Sequence, residues 1–112
     1  MPIASPRYPF TQAAIAGAPD DPGIYALFRG QQIVFYGIAV GVATIHSRLQ
    51  SHLSGAIHPD QATHYAWEIA RDPERKRAEL LAEHEVLHGR APIFNRDIAQ
   101  PPDGTGVLAG GS

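Results

Sequence analysis

The sequence predicts an α/β domain of the α+β kind: a small three-stranded antiparallel sheet flanked by helices. Three observations lead there. Two short runs rich in β-branched and aromatic residues, "GIYALFR" and "IVFYGI", are separated only by "GQQ", the pattern of a β-hairpin. A third run, "THYAWEIA", alternates well enough for another strand. Between and after these lie two stretches with helical start and stop signals. At 112 residues the chain has room for one modest core and one small site.

Taken in order, prolines at 2, 6, 9, 19 and 22 make residues 1–19 irregular, apart from a helical turn in "TQAAIA". The folded unit is expected from about Phe10 to Asp97, with its functional part over 20–97. In the hairpin, Gly30-Gln31 suits a two-residue type II′ turn, because glycine tolerates positive φ at the first central position. That turn pairs Arg29 with Gln32. Counting outward sets Tyr25 opposite Tyr36, with both rings on one face.

The stretch "TIHSRLQSHLSG" reads as a helix capped by Thr44 and ended by Gly55, with Ile45, Leu49 and Leu53 recurring every fourth residue. Arg48 and His52 lie one turn apart at the edge of that apolar stripe. A longer helix is predicted over Pro73 to His88, with Asp72 as cap, Pro73 at the first position, and Gly89 and Pro92 as stops. At about 100° per residue, Glu83 falls between Val86 and Leu87 and near Leu80, while His84 and His88 point well away from it. The tail, residues 98–112, is small and core-poor, so flexibility is expected there.

Composition excludes several classes of function. There is no cysteine, hence no disulfide framework, thiolate zinc site or thiol nucleophile. No apolar run approaches the roughly 20 residues of a membrane span, and the N-terminus lacks a signal-peptide core, so a soluble cytoplasmic protein is expected. A net charge of -2 argues against strong nonspecific binding to polyanions. The basic residues Arg71, Arg75, Lys76, Arg77, Arg90 and Arg96 nevertheless lie in the C-terminal half, where a phosphate-facing stripe competes with the plainer reading of a solvated helix face.

One short motif stands out. "HEVLH", His84 to His88, matches HExxH, in which two histidines hold zinc and the glutamate acts as general base. A catalytic zinc needs a third protein ligand. Downstream there is neither histidine nor glutamate, only Asp97 and Asp103. A zinc hydrolase using His84, Glu85 and His88 is therefore the weaker alternative, and two histidines on a surface helix the plainer one.

A longer constellation carries more weight. "GIY" at 23–25, Tyr36-Gly37, "RLQSH" at 48–52, Glu83 and "PIFN" at 92–95 resemble, in order and spacing, the GIY-YIG nuclease family. The resemblance covers about Pro22 to Asn95. It implies a metal-dependent endonuclease that hydrolyses DNA phosphodiesters with one divalent ion, Mg²⁺ or Mn²⁺. It also implies site residues: Tyr25, Tyr36, Arg48 and His52 as catalytic groups, Glu83 as metal ligand, and Gly23, Gly37 and Asn95 in support. DNA is the implied partner, with no membrane; cutting both strands would suit a homodimer. The second motif departs from the pattern, reading Phe35-Tyr36-Gly37 where the family has Tyr-Ile-Gly. Aligning the tyrosines places Tyr36 beside Tyr25 and is the favoured register, whereas a three-residue turn would seat Phe35 there. A lysine common after that motif is Ile38 here, or Ala39 in the shifted register.

The chemistry explains the residue types. A hard cation on one carboxylate neutralises developing charge, and a guanidinium offers a planar fork to nonbridging oxygens. A tyrosine serves as base only if neighbouring cations lower its pKa or it relays its proton to His52. Phe35 and the missing lysine motivate a rival, a catalytically impaired nucleic-acid-binding relative.

Overall fold

The computed structural model describes residues 3, 5–57 and 61–95, so the expectation of a flexible tail at 98–112 lies outside the described residues. The chain forms an α+β fold with the order β1 (Tyr8–Pro9), α1 (Gln12–Ile15), β2 (Gly23–Arg29), β3 (Gln32–Ala39), α2 (Ile45–Ser54), β4 (His64–Ile69) and α3 (Pro73–His88). The strands make one antiparallel sheet in the order β1-β4-β2-β3. No helix among the described residues is long and apolar enough to cross a membrane.

The sheet has four strands where three were expected. The addition comes from the proline-rich N-terminal segment, in which Tyr8 pairs with Tyr65 and their rings lie 5.5 Å apart. Pro9 is tolerated because β1 is an edge strand, where a missing backbone donor breaks no inner ladder. The same segment sends Phe10, Ile15 and Ala18 into the core, so it is part of the folded body.

Helix boundaries follow local chemistry. The Thr44 side chain accepts from the Ser47 amide while the Ser47 hydroxyl accepts from the Thr44 amide, a reciprocal cap at the start of α2. Asp72 caps α3 and Pro73 occupies its first turn. Gly55 and Gly89 end the two helices at φ 85° and 81°, which glycine adopts without a Cβ penalty.

The sheet divides the core in two. Tyr25, Leu27, Val34, Phe35 and Tyr65 face α1 and α2 with Ile15, Ile45 and Leu49. Ile24, Ala26 and Tyr36 face α3 through Leu80. Opposite faces are served by alternate residues of β2, as the strand period of two requires.

The hairpin turn is as expected at its tip: Arg29 pairs with Gln32 and Gly30 has φ 64°. Beyond it the register slips. Phe28 pairs with Ile33 but Leu27 pairs with Phe35, so Val34 is an extra residue in β3. Val34 and Phe35, though consecutive, both join the core on the α2 side, and the Phe94 amide donates to the Val34 carbonyl at 2.9 Å. This β-bulge reverses which face each later residue of β3 occupies.

Candidate functional site beside Gly37

The bulge corrects the expected pairing of Tyr25 with Tyr36. Tyr25 lies opposite Gly37, and Tyr36 lies opposite Ala26 with its side chain on the α3 face. Phe35 takes the seat beside Tyr25, their ring centroids 6.2 Å apart. The turn length was right; the inserted residue changed the parity.

Around Tyr25 the structure brings together part of the expected set. Its hydroxyl lies 2.7 Å from His52 Nε2, and His52 sits edge-on to both Tyr25 and Phe35 at 5.4 Å. Tyr25 and His52 are fully buried. Two glycines make this packing fit. A Cβ on Gly37 would fall 2.2 Å from Tyr25 Cζ, so the phenol ring occupies the space a side chain would need. A Cβ on Gly23 would fall 2.4 Å from the Glu68 carbonyl oxygen, which makes close approach of β2 and β4 the reason for that glycine.

Two guanidiniums act on the phenol. Burial raises the Tyr25 pKa above its ordinary 10; Arg48 on α2 opposes that rise, and Arg77 on α3 opposes it more weakly. Burial outweighs both cations, so Tyr25 at neutral pH is a phenol rather than a phenolate. Arg77 was legible only as one of several basic residues on a helix. Among the described residues neither Arg48 nor Arg77 pairs with a carboxylate, and Arg48 Nε is buried without a hydrogen-bond partner.

The other expected residues, Glu83 and Asn95, lie on α3 and just after it. Glu83 is exposed on α3, and its charge joins burial in raising the Tyr36 pKa; the charges acting on Tyr25 are Arg48 and Arg77. The aliphatic neighbours foreseen for Glu83 are present, but Val86 and Leu87 are themselves 85% and 77% exposed, so they line no closed cleft. Asn95 is buried and spends both ends of its amide on the backbone of Tyr36: Oδ1 accepts from the Tyr36 amide at 2.6 Å and Nδ2 donates to its carbonyl at 2.9 Å. These two bonds close the edge of β3 as a neighbouring strand would.

A single carboxylate with water suits a hard ion by donor chemistry. Glu83 is the carboxylate expected to hold it, and the side chains packed against Tyr25 are His52 and Phe35. Among the described residues no three of His, Cys, Asp or Glu converge on a common point, which also leaves His84, Glu85 and His88 without a third zinc ligand. No family model matches the chain, and no curated protein matches it either.

Proposed function

We propose that this chain is a nucleic-acid-binding domain of GIY-YIG type in which Arg48 and Arg77 receive a backbone phosphate beside the Tyr25 phenol. The observation that carries this reading is Arg48, whose Nε is buried without a hydrogen-bond partner and whose charge, like that of Arg77 across the sheet, acts on the Tyr25 phenol, while among the described residues neither guanidinium pairs with a carboxylate. Guanidinium is suited to phosphate because its planar fork matches two oxygens. The scaffold type is supported by the hairpin, helix, strand, helix order carrying Tyr25, Arg48 with His52, and Glu83 in turn. Phe35 beside Tyr25, in the place expected for Tyr36, favours binding over hydrolysis.

The test is fluorescence anisotropy of labelled duplex and single-stranded oligonucleotides between 50 and 200 mM salt. Binding weakens linearly in log-log form, and Arg77→Ala reduces the slope by about 0.9 for one lost phosphate contact on duplex. Equal binding by wild type, Arg48→Ala and Arg77→Ala would refute it.

The contact between the Tyr25 hydroxyl and His52 Nε2 favours a second reading, a metal-dependent endonuclease on DNA. Plasmid incubated with Mg²⁺ or Mn²⁺ separates the two: strand breaks that disappear in Glu83→Ala support hydrolysis, and intact plasmid under both metals leaves the binding reading.

A further inference from the structure

The C-terminal turn of α3 carries a feature that the phosphate-binding reading does not use. His84 and His88, one turn apart, bring their rings to a centroid distance of 4.3 Å with planes inclined by 38°. His84 Nδ1 lies 2.8 Å from the Arg90 carbonyl oxygen. A carbonyl only accepts, so Nδ1 carries the proton and Nε2 keeps its lone pair. A backbone carbonyl fixing the tautomer of an imidazole in this way is the usual outer support of a metal-ligating histidine.

Both histidines line a cavity of about 510 Å³ bounded by the hairpin tip at Gln31 and Gln32 and by the chain after the helix. The negative end of the helix dipole faces this region and offsets the positive charge of Arg90, which also lines the cavity, so that imidazole nitrogen rather than net charge is what draws a metal there. Imidazole selects borderline metals such as zinc, nickel and copper over magnesium. The cavity leaves room for water or a glutamine amide oxygen at the remaining coordination positions.

We propose that His84 and His88 form a two-histidine site for a borderline divalent transition metal, Zn²⁺, Ni²⁺ or Cu²⁺, at the end of α3. With two protein ligands it is a binding site and not the hydrolytic zinc centre that HExxH suggests. Glu85 is exposed on the same helix and supplies no third ligand.

The experiment titrates untagged, chelator-treated protein with each metal chloride alone by calorimetry, alongside thermal unfolding. Wild type binds one equivalent with Cu²⁺ the tightest, and saturating Zn²⁺ raises its melting temperature. His84→Ala and His88→Ala each weaken binding at least tenfold and abolish the thermal shift. His46→Ala, which removes the pair with Asp20 far along the chain, changes neither. Exposed His88 also allows His88→Gln, which gives the same answer if His84→Ala fails to fold. Absence of saturable binding, unchanged binding in both α3 variants, or loss confined to His46→Ala overturns the proposal. The result is independent of nucleic-acid binding, since only the metal is added.

Discussion

Gly37→Ala tests the register on which the site rests. If Tyr25 stood opposite Tyr36, adding a methyl group to a strand glycine would stabilise the protein by about 0.5–1 kcal/mol through lost chain entropy. In the observed register the new Cβ would lie 2.2 Å from Tyr25 Cζ and 2.4 Å from its hydroxyl oxygen, an ångström or more short of ordinary contact at 3.4 Å. The ring cannot swing aside freely, because Phe35 and His52 flank it. Overpacking of this kind costs about 1–3 kcal/mol, so the sign of the effect reverses. Urea unfolding followed by circular dichroism measures it, with an unchanged m-value showing that the two states are comparable. In a Tyr25→Leu background the side chain no longer reaches Gly37, and the penalty should vanish, giving a coupling energy of about 1–3 kcal/mol. A neutral or stabilising Gly37→Ala, or a penalty undiminished by Tyr25→Leu, would refute the bulged register.

Further expectations follow from the same packing. Asn95→Ala removes both bonds to the Tyr36 backbone in a buried setting and should cost about 2–6 kcal/mol by urea unfolding, since each of the two orphaned groups carries about 1–3 kcal/mol. A raised tyrosine pKa means that the folded state holds its proton longer than the unfolded chain. The Tyr25 contribution is therefore fully present below pH 10 and is lost as pH rises through the higher folded value; stability measured from pH 8 to 11 should decline above 10, less steeply in Tyr25→Phe. That variant also deprives His52 Nε2 of its phenol partner and should lower stability at pH 7 by about 1–3 kcal/mol.

Much of the fold was written in short stretches of sequence. Thr44, Gly55, Asp72, Pro73 and Gly89 marked both main helices because capping depends on residues within one turn of each other. Gly30 marked the hairpin tip for a similar reason, and Arg48 and His52 shared a helix edge by spacing alone. Three decisions belonged to the tertiary structure. The sheet gained a fourth strand because Tyr8 found Tyr65, residues far apart in the chain. The bulge at Val34 arose where Val34 and Phe35 both bury toward α2 while Phe94 takes the free carbonyl, a balance no local rule contains. From that one inserted residue came the exchange of Phe35 for Tyr36 beside Tyr25, so that the charges of Arg48 and Arg77 act on one phenol and that of Glu83 on the other. Which residues can cap, turn or coil is decided by neighbours in the chain; which of them share a site depends on strand parity and helix placement, set only when distant segments compete for one core.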